Sequence, residues 1–154
     1  MNLDGYALPI KKLKGTEPVE SLDLSNKRLG VASAIVIASL IGVNGGLTSI
    51  NLSGSNLTNV GSDMTGVTEL AAALGVNGSL TSIDLSGNWL CGLWTDYDGQ
   101  QGTYTAEGIT AIADALRVNG ALIECDLRQN SMGEEEEASI RKSVQGKAGF
   151  VLHV

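Results

Sequence analysis

The chain has 154 residues, 43% of them hydrophobic, so it can bury a core of its own and is not disordered as a whole. Its 17 acids outnumber 10 Lys and Arg, giving a net charge of −7, which excludes nucleic acid as a main partner because phosphate binding needs a basic footprint. One His and two Cys exclude a disulfide framework and leave little for metal chemistry. The first residues, 1–15, have no basic start followed by an apolar run, so no secretory signal is expected. The longest apolar stretch, 31–43, falls short of the roughly 20 residues that span a bilayer, so no membrane partner is expected. A soluble cytoplasmic protein with free thiols follows.

In chain order, Leu8 and Ile10 around Pro9 read as a leading strand, since Pro is tolerated on a sheet edge. Four similar segments follow: Val19-Glu-Ser-Leu22-Asp-Leu24, Leu47-Thr-Ser-Ile50-Asn-Leu52, Leu80-Thr-Ser-Ile83-Asp-Leu85 and Leu122-Ile-Glu-Cys125-Asp-Leu127. Each runs on to a further apolar residue, at Leu29, Leu57, Leu90 and Met132, completing L-x-x-L-x-L-x-x-N-x-L. Asn88 and Asn130 hold the Asn position, whereas Lys27 and Ser55 replace it in the first two copies.

A second block follows each of the first three segments. Its apolar positions are Ala34, Ile37 and Ile41, then Val67, Leu70 and Leu74, then Ile109, Ile112 and Leu116, spacings that share one helical face. Asn-Gly closes each block at Asn44, Asn77 and Asn119, where a left-handed residue is expected to end the helix. Residues 134–145 read as a last helix, with four Glu at its positive end and Arg141 and Lys142 at the other. Residues 150–154 read as a final strand.

Strand followed by helix, repeated in this order, resembles leucine-rich repeat proteins of the ribonuclease-inhibitor-like class. That class supplies recognition domains of NOD-like receptors, a Ran GTPase activator and the tropomodulin C-terminal region. The wording is also similar to leucine-rich repeat families of unicellular algae. The resemblance implies an α/β fold: a short solenoid of right-handed βα repeats, with a parallel sheet on the concave side and helices on the convex side. The expected organisation is an N-terminal cap (1–18), four repeats over 19–145 starting at 19, 47, 80 and 122, and a C-terminal capping strand (146–154).

The repeat periods are 28, 33 and 42 residues. The extra residues fall between strand and helix, giving insertions at 58–63 and 91–105 on one rim, where repeat proteins often bind. The second insertion gathers Trp89, Trp94, Tyr97 and Tyr104, four of the chain's six aromatics. They either pack the loop onto the rim, contact a partner or hold a small ligand. Asp96 and Asp98 before Gly99 invite a calcium reading, but Trp94 and Thr105 stand where an EF-hand needs acids. A polar turn is the plainer alternative, and no metal site is expected.

On the expected concave face one column holds Asp23, Asn51, Asp84 and Asp126, either ordinary solvated polar residues or an acidic stripe for a basic protein surface. Residues 63–126 carry nine acids and one base, Arg117. The first helix is apolar beyond its core stripe, at Val31, Ile35, Val36 and Leu40. Residues 1–18 cover that face, or it is a homodimer surface. Cys125 takes a core leucine position, Cys91 is expected on the rim, and His153 has no partner in sequence; no enzyme, cofactor or phosphate loop is expected. The resemblance points to a non-enzymatic protein-binding scaffold working through the concave sheet and the rim loop. The alternatives are a regulator of a GTPase or of actin, and a calcium- or ligand-binding module built on the 91–105 loop.

Overall fold

The computed structural model describes all residues, 1–154. A short hairpin, β1 (Asn2–Leu3) and β2 (Tyr6–Ala7), leads into α1 (Ile10–Lys14). Strand β3 (Ser21–Asp23), helix α2 (Gly30–Ile41), strand β4 (Ser49–Asn51), helix α3 (Thr65–Val76) and strand β5 (Ser82–Asp84) follow. A second hairpin, β6 (Leu93–Asp96) and β7 (Gly99–Gly102), precedes α4 (Glu107–Val118), β8 (Glu124–Asp126), α5 (Glu134–Ser143) and β9 (Val151–His153). The main sheet is five-stranded and parallel, in the order β3-β4-β5-β8-β9. The helices pack side by side in chain order, α1 on α2 through to α4 on α5. No helix is long and apolar enough to cross a membrane.

The register follows the apolar spacing. Leu22, Ile50, Ile83, Cys125 and Leu152 sit side by side across the sheet. Alternation along a strand then turns Ser21 and Asp23 and their counterparts to the other face. Ile50, Ile83 and Cys125 are fully buried, as are Leu24, Leu52, Leu85 and Leu127 just past the strand ends. They meet Ile37, Leu70 and Ile112 from the helices in one cluster of 31 buried residues.

Two columns of asparagine tie these layers together, and they correct one expectation. Asn77 and Asn119 are not left-handed; their φ values are −69° and −72°. Asn44, Asn77 and Asn119 are instead buried, and their side chains do the turning. Each Oδ1 accepts backbone N–H groups two and three residues on, as in Asn77 with Ser79 at 2.9 Å and Leu80 at 2.7 Å. Each Nδ2 donates to a carbonyl of the preceding helix end: Asn44 to Leu13 at 2.9 Å, Asn77 to Ile41 at 2.7 Å, Asn119 to Leu74 at 2.6 Å. A side-chain amide that satisfies orphan carbonyls replaces the glycine mechanism. At the far end the Lys147 ammonium donates to the Asn119 carbonyl and closes the column.

The second column runs through the turns after the strands. Asn130 accepts from the N–H groups of Asn88 and Leu90, and Asn88 accepts from those of Ser55 and Leu57. Ser55 retains only donation, to Leu24 O at 2.9 Å and Ser53 O at 3.2 Å. Lys27 lies outside the column, with its ammonium 5.9 Å from the Tyr6 ring centroid.

The N-terminal segment also departs from expectation. Pro9 is the residue before α1, where its missing N–H costs nothing, and Leu8 and Ile10 form no strand. The Asp4 carboxylate accepts from the Ser33 amide at 3.2 Å and hydroxyl at 3.0 Å. It thereby supplies the acid that the first turn of α2 lacks. Val31, Val36 and Leu40 are half-buried, and Ile35 is the one large side chain of α2 left exposed, at 38%.

Candidate functional site

The insertions at 58–63 and 91–105 follow neighbouring strands of the sheet and meet on one edge of the molecule. The second of them forms the β6–β7 hairpin. Trp94 pairs with Gln101 and Asp96 with Gly99, leaving Tyr97 and Asp98 as the two-residue turn. Asp96 Oδ1 accepts from the Asp98 amide at 2.8 Å, so this carboxylate shapes the turn. No three metal-ligating side chains come together anywhere in the chain.

The hairpin base and the 58–63 loop enclose a cleft of 490 Å³, lined by Val60, Met64, Trp94, Thr103 and Glu107 among others. Glycine is required at its floor. A Cβ on Gly61, at φ 78°, would sit 2.7 Å from the backbone of Gly92, and one on Gly92 would collide with the Thr103 carbonyl. Close backbone approach of this kind is open only to glycine.

The sequence-selected aromatics separate in space. Trp94 is half-buried and lines the cleft, and Tyr97 is fully exposed at the hairpin tip. Trp89 is half-buried at a left-handed position, φ 54°, away from the cleft lining. Tyr104 reaches the start of α5: its hydroxyl donates to the Glu136 carboxylate and accepts from the Gly133 amide at 3.3 Å. Burial and the bond to Glu136 push Tyr104 up to about 12. Cys91 beneath it is fully buried, not rim-exposed, because the hairpin folds over it. Burial and the nearby Glu136 charge push this thiol up to about 11. Burial among the sheet leucines likewise pushes Cys125 up to about 12. Neither thiol is set up as a nucleophile.

The polar column on the open sheet face is already engaged. Asp23, Asn51 and Asp84 each accept the amide two residues on, from Ser25, Ser53 and Ser86, all at 2.9 Å. The Ser25 bonds hold Asp23 below the usual carboxylate value. Asp126 is 8% exposed and pairs with Arg128 at 2.5 Å. Burial raises its pKa, but the Arg128 hydrogen bonds and charge outweigh this and hold it low. Arg128 also feels the charge of Asp84, so the adjacent carboxylates share one cation. His153 finds a partner after all, Glu124, with Nε2 3.2 Å from Oε1.

Sequence reasoning missed Arg128, Glu136, Met64 and Val60. The legible signal for Met64 and Val60 was the shorter insertion beside the longer one. Glu136 lies 32 residues from Tyr104, and no periodicity links them.

No protein-family model matches the chain, and no curated protein matches it either. Among solved structures, the leiomodin-1 actin-binding site 2 domain matches with a TM-score of 0.71 and 18% identity, over 94% of this chain and 76% of that one. The tropomodulin C-terminal domain of Caenorhabditis elegans matches with a TM-score of 0.67 and 13% identity, over 94% and 79%. At these identities the likeness is one of fold. It corrects the kinship expected from the repeat wording. The neighbours are the leiomodin and tropomodulin domains, not a ribonuclease-inhibitor-like protein or an algal family. The repeated leucines dictate inward columns that many such folds share, so they did not discriminate among them.

Proposed function

We propose that this chain is a non-catalytic protein-binding module whose partner is actin. One observation carries the reading: 94% of the chain superposes on the leiomodin-1 actin-binding site 2 domain with a TM-score of 0.71. Two features of the chain support it. Both thiols are buried with raised pKa values, so neither is poised as a nucleophile. The acids are concentrated between residues 63 and 126, which suits a basic patch on a protein surface.

Within this reading the chain is a short leucine-rich solenoid, capped by 1–18 and 146–154, with its four units starting at 19, 47, 80 and 122. Its contact surfaces are the hairpin, through Trp94, Asp96, Tyr97 and Asp98, and the open sheet face, through Asp23 and Asp84. Asn51 lies in the same column as Asp23 and Asp84, and Trp89, Tyr104 and Asp126 flank these surfaces. Self-association through α2 is the weaker use of its apolar residues, because Val36 and Leu40 pack against the core. The calcium alternative loses its ligand geometry to the hairpin turn.

The test is actin assembly followed by pyrene fluorescence. The chain is expected to change the elongation rate in proportion to its concentration. An unchanged elongation rate with folded chain in large molar excess would remove actin regulation.

A further inference from the structure

We propose that the cleft between the 58–63 loop and the β6–β7 hairpin receives one apolar side chain of a protein partner, presented by a segment whose neighbouring residues are Lys or Arg. This rests on the protein-binding reading, not on the identity of the partner.

Shape is the first support. At 490 Å³ the cleft is large enough for an aliphatic side chain and the backbone that carries it. Gly61, Gly92 and Gly102 keep its floor free of side chains, while Val60, Met64 and Trp94 supply apolar walls. A half-buried Trp beside an open cavity is the residue type that anchors interfaces. No buried side-chain nitrogen or oxygen lacks a partner, so no desolvated polar group in the cleft waits to orient a small polar ligand.

Charge is the second support, and it selects the flanking residues. Glu107 lines the cleft, and Asp63 lies between Ser62 and Met64, which both line it. Asp96 is two residues along β6 from Trp94 and so shares its face of the strand. None of the three carboxylates is in an ion pair. Hydrogen bonds from Thr65 hold Asp63 below the usual carboxylate value, so it is ionised at neutral pH. From residue 29 to residue 116 the chain has no Lys, Arg or His at all. Arg28 shares a neighbouring cavity with Asp63 and offsets part of its charge, whereas Glu107 and Asp96 have no such neighbour in that span, so the field around the cleft is negative on balance. It attracts a basic segment and repels an acidic one, so that the Val60, Met64 and Trp94 walls supply affinity and the acidic lip supplies selection.

The experiment titrates the ¹⁵N-labelled full chain with three synthetic nine-residue peptides at low salt. The first has a central Leu between two Lys on each side; the second replaces that Leu by Gly; the third replaces the Lys by Glu. The first peptide is expected to saturate shifts in the amides of 60–64, 92–94 and 102–107. Loss of the Leu, or of the positive charges, is expected to weaken binding by about tenfold or more. Trp94→Ala should weaken it similarly. Glu107→Gln, at an exposed position that does not threaten folding, should weaken the Lys peptide and should not weaken the Glu peptide. Equal binding of all three peptides, no binding, or shifts confined to other residues would overturn the proposal. No actin is present, so the two readings fail separately. A chain that takes the peptide and ignores actin loses its actin assignment alone, and one that binds actin and ignores the peptide loses the cleft alone.

Discussion

At the scale of single residues, the buried asparagines contribute more than their polarity suggests. Asn88 Nδ2 donates to Leu52 O at 2.9 Å and Leu85 O at 3.1 Å while Oδ1 receives the Ser55 and Leu57 amides. Asn88→Ala would orphan several buried backbone groups at once, each costing roughly 1–3 kcal/mol. A loss of about 3 kcal/mol or more in urea unfolding is expected. Tyr104 gives a pH signature. Its folded value is raised from 10.0 to about 12, so the protonated form is the one the fold favours. The stability it adds is whole below pH 10 and is lost as the pH rises through about 12. Tyrosinate absorbance should show a step near 12 that vanishes in Tyr104→Phe. Asp126 runs the opposite way. Its lowered value makes its contribution complete above the ordinary carboxylate range and lost as the pH falls through the lower folded value. The Asn-Gly pairs were plain in the sequence, yet their mechanism was not. Glycine looked like the working residue, whereas Asn44, Asn77 and Asn119 reach across to carbonyls more than 30 residues earlier.

At the scale of elements, the β6–β7 hairpin stands apart from the main sheet. It pairs only with itself and rests on the molecule through Cys91, Gly92 and the Tyr104 contact. Its amides are expected to exchange with solvent well before those of β4, β5 and β8, which are paired on both sides. Replacing residues 94–101 by a short Gly-Ser link should leave the far-ultraviolet dichroism and the cooperative melt of the remainder intact. A collapse of the melt would instead make the hairpin part of the core. The main strands were legible because Leu, Ile and Cys125 recur at offsets of 28, 33 and 42 residues, which are also the offsets between paired residues in the sheet. The hairpin was not. Gln100, Gln101 and Gly102 show no apolar alternation, and only Asp98-Gly99 marked a turn. The leading strand failed for a related reason: Leu8 and Ile10 alternate as a strand does, but Pro9 between them starts a helix.

At the scale of the whole molecule, a parallel sheet with one helix layer was written in the order of the repeats, because three-residue strands can hide their leucines only against the helices that follow them. Which solved folds the chain resembles was not written there. Inward leucines constrain the core and leave the outer surface free to diverge, so the likeness to the leiomodin-1 and tropomodulin domains emerges in three dimensions at 18% and 13% identity. The uneven charge acquires a place in the same way: acids around an apolar cleft on one edge, and a sheet face whose Asp126 is already neutralised by Arg128. Direct binding to actin is the decisive matter. Sedimentation velocity of the chain with latrunculin-bound actin monomers should show a faster boundary carrying both proteins, with a Kd of about 10 µM or tighter. Two independent boundaries at concentrations about tenfold higher would contradict actin as the partner.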